Sequence, residues 1–214
     1  MALTDDFNRA SLGTGWAAGE STIWTIPSST FAQPAAQYVT TSILRTEASF
    51  PAVQYSQVDT AFTNPASGDA SSPGVLVRSN GSTTYYFAYV SSATGIAVIY
   101  KRSAGSNTFL ADSGVAVMTV DTVATMKLTV EEVATVTTLK FYVDGVEKIS
   151  TTNATSPILT GKPGLMCVTG QTSLFAHYDN FESTDASAGA AVTYPMLERN
   201  ARGIERGILI GEVR

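Results

Sequence analysis

Charged side chains are scarce in this sequence of 214 residues, at 14% against the roughly 25% usual for soluble domains. The net charge is −5, and no basic run supplies the patch that a nucleic-acid surface needs, so we expect no nucleic-acid partner. The single cysteine, Cys167, excludes an intramolecular disulfide and a cysteine-rich metal site.

Long apolar runs are also missing. No segment approaches the roughly 18 residues that a membrane-spanning helix requires, so we expect no membrane insertion. The first ten residues, MALTDDFNRA, have neither the basic nor the apolar region of a secretory signal. We therefore expect a protein made in the cytoplasm without a signal peptide, which acts outside a cell as part of a virion or other assembled particle.

Helical periodicity of useful length is absent before residue 190, where apolar and polar residues alternate in short runs separated by turn signals. The runs predicted as strands are 21–26, 53–63, 74–79, 84–90, 95–102, 125–132, 138–145, 146–150, 164–169 and 174–183. Asp144-Gly145, between two of these runs, is a strong hairpin signal. The pattern predicts an all-β protein, a two-sheet antiparallel sandwich.

The C-terminal segment differs in composition. We predict a domain over 1–185, a flexible small-residue linker over 186–195 and an attachment or oligomerisation arm over 196–214. Leu197, Ile204 and Ile208 would line one stripe of a helix, although the glycines of this segment favour a strand equally. In either form the stripe requires a partner, so we expect a homo-oligomer or attachment to capsid or other particle proteins.

An acidic residue stands beside an aromatic residue near both ends of the β region, in DDFNRASLGTGW (5–16) and HYDNFES (177–183). This repetition predicts that the first and last strands lie together. With GVLVRS, TYYFAYV, IYKRSAG, KLTVEE, LKFYVDGVEKIS and GKPGLMC between them, these segments resemble the concanavalin A-like, laminin-G-like jelly-roll domains of bacterial and phage proteins, over about residues 4–184. The resemblance implies a jelly roll of two antiparallel sheets, one curved, with Trp16 and Trp24 buried and binding on the concave face or at the loop rims.

Catalysis is not expected. Glucanases that look like this fold carry paired carboxylates on one strand, pointing the same way. Glu131 and Glu132 are adjacent here, so on a strand they face opposite sides. His177 and Cys167 belong to separate predicted strands, and they are interpreted as a half-exposed polar residue and a small core residue.

The resemblance also implies a structural calcium ion near the meeting of the first and last strands, and Asp6 and Asp179 are the matching positions, with Asp5 as a substitute. The alternative is that Asp5 caps the turn and Asp179 forms a local hydrogen bond before Asn180. Two carboxylates are few for a calcium ion, which favours the alternative slightly.

Glycan binding is the remaining candidate, because sugars are held by aromatic faces and planar polar groups. In TYYFAYV, Tyr85, Phe87 and Tyr89 share one face, which is interpreted as core. Tyr86 is then predicted to be the exposed ring, beside Arg78 and Tyr100.

Two functions therefore remain. The first is a non-catalytic interaction module displayed on a larger assembly, a phage virion decoration or structural protein with glycan-binding capacity. The alternative is a free carbohydrate-binding, lectin-like module, and a glycoside hydrolase-like enzyme ranks third.

Overall fold

A computed structural model describes residues 2–20, 24–26, 32–34, 40–47, 50–61, 71–81, 83–119, 121–133, 136–168 and 176–184, and all regular structure in these ranges is β-strand. The strands are β1 (Leu3–Asp5), β2 (Trp16–Ala18), β3 (Trp24–Thr25), β4 (Gln33–Pro34), β5 (Thr40–Arg45), β6 (Gln54–Ala61), β7 (Ser72–Ser79), β8 (Tyr85–Val90), β9 (Ile96–Ser103), β10 (Ser106–Ala116), β11 (Ala124–Val133), β12 (Val136–Val143), β13 (Val146–Asn153), β14 (Lys162–Val168) and β15 (His177–Ser183). Within the described ranges, no helix is long and apolar enough to cross a membrane.

Two antiparallel sheets form the sandwich, as the sequence predicted. The six-stranded sheet has the order β1-β15-β6-β11-β12-β13, and the seven-stranded sheet has the order β10-β9-β8-β7-β14-β5-β2. β3 and β4 make a small separate pair. Alternate apolar side chains of both sheets meet between them in one core, including those of Met126, Leu128, Leu139, Phe141, Val75, Val77 and Ile99.

The first and last strands pair with each other, which confirms the prediction from the two acidic-aromatic segments. Leu3 lies opposite Ser183 and Asp5 lies opposite Phe181 in an antiparallel ladder. The chain then crosses to the other sheet, where Trp16 begins β2 opposite Arg45.

Asp5 holds this crossing together. Its carboxylate accepts hydrogen bonds from the backbone N–H of Phe7 (2.9 Å), from both terminal nitrogens of Arg9 (2.5 and 2.6 Å) and from the indole of Trp16 (2.6 Å). Phe7 has a positive φ of 52°, so the backbone turns sharply just after β1 and places this ring in the core. The interpretation of Asp5 as a turn cap is confirmed, and both tryptophans are buried as the resemblance implied.

The Asp144-Gly145 hairpin is also confirmed. Both residues have positive φ, 51° and 76°, as a type I′ turn requires, and Val143 pairs with Val146 on either side. Glycine carries no Cβ to oppose this conformation, and aspartate tolerates it better than most residues.

Arg78 interrupts the regular alternation of β7. It adopts a φ of 53° at a shift in the β7–β14 register, and its guanidinium is fully buried between the sheets. It donates to the carbonyls of Ala52 (2.5 and 3.1 Å) and Ile158 (2.7 Å), and its Nη1 lies 3.9 Å from the Glu132 carboxylate. Burial lowers the pKa of Arg78, and the negative charge of Glu132 offsets part of that effect.

The neighbouring backbone fits closely around this bulge. A Cβ on Gly161 would lie 2.3 Å from the carbonyl carbon of Arg78, so glycine is required at this approach. The buried amide of Gln54 joins the two segments, because it accepts from the N–H of Arg78 (3.1 Å) and donates to the carbonyl of Gly161 (2.7 Å).

Five strands, β1, β2, β4, β5 and β10, lie outside the predicted runs, and one predicted run is confirmed only in part. β10 carries two register shifts and mostly exposed side chains, while β5 is buried on both faces, so neither alternates. β1 and β2 have three residues each and β4 has two, too few to show a period. Within 21–26, Trp24–Thr25 forms a strand, and residues 21–23 lie outside the described ranges.

We expect Arg78→Met to lower the free energy of unfolding by about 3–5 kcal/mol, because it leaves buried carbonyls without their donor. Denaturant unfolding followed by tryptophan fluorescence measures this loss. Lys162→Met, which removes a charge from the half-buried first residue of β14, should change stability by about 0.5 kcal/mol or less. Equal losses in the two variants would contradict the structural role of Arg78.

We expect Asp5→Asn to destabilise the fold by about 2 kcal/mol near neutral pH, because charged hydrogen bonds are lost. Burial alone would raise the pKa of Asp5, but the donors Arg9, Trp16 and Phe7 N–H lower it overall. The stabilisation is therefore complete above the unfolded-state pKa, near 3.8, and is lost as pH falls through the lower folded value.

Unfolding curves of the wild type and Asp5→Asn between pH 2 and pH 7 test this dependence. Asp6→Asn is the matched control, since the Asp6 carboxylate is exposed and its hydrogen bonds are local, from the backbone N–H (3.1 Å) and side chain of Asn8. A stability difference between wild type and Asp5→Asn that stays constant with pH would contradict the assignment.

Candidate functional site

Tyr86 and Arg78 do not lie on the surface, so the prediction that Tyr86 is the exposed ring is wrong. Both side chains are 0% exposed. Tyr86 belongs to the core between the sheets, and its hydroxyl accepts hydrogen bonds from Asn153 Nδ2 (3.1 Å) and from the N–H of Ile158 (3.0 Å). The third predicted residue, Tyr100, faces the opposite side of the seven-stranded sheet.

The other face of β8 carries Tyr85, Phe87 and Tyr89, which were predicted to be core. Tyr85 and Phe87 are buried there in a second, smaller apolar cluster, whereas Tyr89 is half-buried. These aromatic side chains continue onto the neighbouring strands, since Phe87 lies opposite Tyr100, and Tyr100 lies opposite Phe109. We call Phe87, Tyr89, Tyr100 and Phe109 the aromatic row. Its exposure rises from 2% at Phe87 to 52% at Phe109, so it is covered at Phe87 and open at the β10 edge.

The rings of the aromatic row are mutually ordered. Phe87 and Tyr100 stack with centroids 5.4 Å apart, and Tyr89 and Tyr100 are nearly parallel at 6.1 Å and 3°. Phe109 meets Tyr100 edge-on at 5.7 Å. Burial, together with the neighbouring Tyr100 hydroxyl, raises the pKa of Tyr89. Tyr89 and Tyr100 therefore present ordered, half-buried ring surfaces.

A group of polar side chains adjoins the aromatic row on the same face. Tyr85 lies opposite Arg102, its hydroxyl donates to Glu20 Oε2 (2.7 Å), and Arg102 Nη2 donates to Glu20 Oε1. Arg102 Nη1 donates to Asn107 Oδ1 (2.9 Å). We call Glu20, Tyr85, Arg102 and Asn107 the polar cluster. One arginine and one glutamate balance its charge, and burial together with the hydrogen bond to Glu20 raises the pKa of Tyr85.

One signal in the sequence could have identified this face. The alternation of IAVIYKR places Tyr100 and Arg102 on the same side of β9, and the turn before it sets them opposite Phe87 and Tyr85. If Tyr85, Phe87 and Tyr89 had been predicted to face away from the main core, they would have been grouped with Tyr100 and Arg102.

The predicted calcium positions do not share a site. Asp6 lines a depression of about 690 Å³ beside β1, whereas Asp179 lines a different one of about 310 Å³ with Asp59 and His177. The Asp179 carboxylate accepts from the N–H of Asn180 (2.8 Å), as the alternative interpretation expected. Within the described ranges, no three acidic, histidine or cysteine side chains converge to hold a metal ion, so these residues do not fit a calcium site.

The remaining candidates for chemistry are separated as well. Glu132 points toward buried Arg78, while Glu131 is exposed on the outer side of the six-stranded sheet. Cys167 is buried in the core, where burial raises the pKa of its thiol to about 12, so it is not a thiolate at neutral pH. The arm residues Leu197, Ile204 and Ile208 lie outside the described residues.

Known proteins resemble this chain in structure. Neither the family models nor the curated proteins contain a match. A carbohydrate-binding module, CBM66 from Bacillus subtilis, superimposes with a TM-score of 0.61 at 18% identity, covering 82% of this chain and 98% of that one.

Two further similar structures differ in what they do. The exoplasmic/lumenal domain of VIP36, bound to Ca²⁺ and mannose, gives a TM-score of 0.57 at 12% identity, covering 88% of this chain and 92% of that one. A β-1,3-1,4-glucanase (lichenase) from a mouse hindgut metagenome gives 0.59 at 11% identity, covering 87% and 99%. With the sheet order above, these similarities show that this chain has the concanavalin A-like jelly-roll fold.

Proposed function

We propose that this protein is a non-catalytic carbohydrate-binding module whose ligand lies on the outer face of the seven-stranded sheet. The observation that carries the proposal is the aromatic row beside the charge-balanced polar cluster. Tyr100 occupies the centre, since it stacks on Phe87, contacts Phe109 and precedes Arg102 by two residues on the same strand.

This combination suits a sugar on physical grounds. The C–H face of a sugar ring is apolar and packs against an aromatic ring, whereas its hydroxyls both donate and accept hydrogen bonds. The polar cluster offers both roles in a fixed arrangement, with Arg102 as donor and Glu20 as acceptor. Because these side chains are already ordered by their hydrogen bonds, less conformational entropy is lost when a ligand binds.

The similar structures support the same direction, since one is a carbohydrate-binding module and another holds mannose. The glucanase marks the enzymatic alternative. Glycoside hydrolysis uses two carboxylates about 5–10 Å apart. The polar cluster contains one carboxylate, Glu20, which is already engaged by Arg102 and Tyr85. We therefore favour binding without hydrolysis.

A glycan array followed by titration calorimetry on the best ligand tests the proposal. We expect Tyr100→Ala and Phe109→Ala each to weaken binding by about tenfold or more, since a stacking surface is removed. Val115→Ala is the matched control, because Val115 is 67% exposed on the same strand as Phe109 and outside the aromatic row. Unchanged affinity in both aromatic variants, or no ligand on a broad array, would contradict it.

We further propose that the domain is displayed on a larger assembly, a virion or similar particle, through residues 196–214. The apolar stripe of Leu197, Ile204 and Ile208, joined to the jelly roll by a small-residue linker, supports this attachment. Such a module would hold its glycan-binding face toward a cell surface.

Light scattering on the full chain tests the arm. We expect an oligomer that Ile204→Asp dissociates, because a charge would be buried in the assembled stripe. Arg199→Gln changes the net charge of the arm by the same amount on the side opposite Ile204, in a helix or a strand, and should leave the mass unchanged. A monomeric wild type, or equal effects of the two variants, would show that the arm does not oligomerise the protein.

A further inference from the structure

The outer face of the six-stranded sheet contains a second polar and aromatic surface, separate from the aromatic row. Two adjoining depressions of about 290 and 310 Å³ cross β6, β11 and β12, and both are lined by Lys127, Thr129 and Tyr142. Gln57 and Thr125 border the first, and Tyr55, Lys140 and the exposed Glu131 border the second. We call this combined depression the lysine trough.

Two tyrosines form fixed sides of the lysine trough. The Tyr55 hydroxyl donates to Glu182 on β15, and the Tyr142 hydroxyl donates to Glu147 on β13 (3.4 Å). These glutamates occupy the two ends of one cross-strand row, in which Glu182, Gln57, Lys127, Tyr142 and Glu147 follow one another. Each tyrosine ring is thus fixed by a hydrogen bond to a glutamate at one end of the row, and Lys127 lies in the middle of the row.

Lys127 lacks an anionic partner among the described residues. Its Nζ lies 4.2 Å from the centroid of the Tyr55 ring, a cation–π contact that leaves the remaining N–H donors directed elsewhere. Lys140, diagonal to it across β11 and β12, has only a loose pair with Glu147, at 3.5 Å, in which both side chains are more than a third exposed. Such a pair contributes little and exchanges readily.

We propose that the lysine trough binds an anionic polysaccharide through a uronate carboxylate placed between Lys127 and Lys140. The ammonium groups complement the carboxylate, Tyr142 offers a ring surface, and Gln57, Thr125 and Thr129 offer hydrogen bonds to sugar hydroxyls. Lys127 and Lys140 supply the attraction for this ligand class, which must exceed the repulsion from Glu131 at the edge of the trough and from a net charge of −5. This site is independent of the proposed function, since it uses the opposite sheet.

Titration of the full chain with polygalacturonate at 20 mM and 200 mM NaCl tests the proposal, with neutral dextran as the uncharged comparison. We expect the protein to bind polygalacturonate but not dextran, and to bind it more weakly at 200 mM NaCl than at 20 mM. Lys127→Gln should weaken this binding about tenfold. Lys162→Gln, which removes the same charge from the other sheet, should have little effect. Glu147→Gln should tighten binding, because Lys140 then loses its competing carboxylate.

Other outcomes would overturn the site. Equal weakening by Lys127→Gln and Lys162→Gln would show general charge attraction, and equal binding of poly-L-glutamate would assign the trough to acidic peptides. If polygalacturonate did not bind at 20 mM NaCl, the proposed site would be wrong. Tyr100→Ala should leave polygalacturonate binding unchanged, which keeps this test separate from that of the aromatic row.

Discussion

Arg78 carries its positive charge in the space between the two sheets, and the surrounding backbone is arranged to accept its hydrogen bonds. An uncompensated cation at this depth would cost several kcal/mol, so the segments holding Ala52 and Ile158 must close over β7. Gln54 and Gly161 complete that closure. Arg78 also approaches Thr137 and Glu132 of the six-stranded sheet, so one side chain joins both layers of the sandwich.

The sandwich of two sheets and the pairing of β1 with β15 were predicted from the sequence, and so were two local features that short-range physics governs. Asp144-Gly145 fixes a hairpin because its two residues accept positive φ, and no distant contact is needed to define the turn. Asp5 was interpreted as a turn cap for a similar reason, since its carboxylate lies within reach of the N–H of Phe7. Its longer-range partner Trp16 becomes evident only once the chain crosses between sheets.

The candidate site was missed because a two-residue period identifies which side chains share a face without showing which face is core. Tyr86 and the three alternate aromatics of β8 satisfy the same pattern in either orientation. A row of aromatic residues is usually core, and Tyr85 and Phe87 are indeed buried, in a second cluster on the face away from the main core. The partly exposed rings of that face are those of Tyr89 and Tyr100, which continue it toward the β10 edge. At Arg78 a bulge breaks the period, so the inward direction of its side chain could not be deduced from alternation.

The pairing of β1 with β15 has a mechanical consequence. Because Leu3 lies opposite Ser183 in an antiparallel ladder, the chain enters and leaves the domain at the same end of one strand pair. A pulling force applied across these two points would open the ladder one hydrogen bond at a time, the weak unzipping geometry, until it reached the Asp5 carboxylate. There the load would meet Arg9 and Trp16 together, so that resistance to force is concentrated at one residue near the start of the chain.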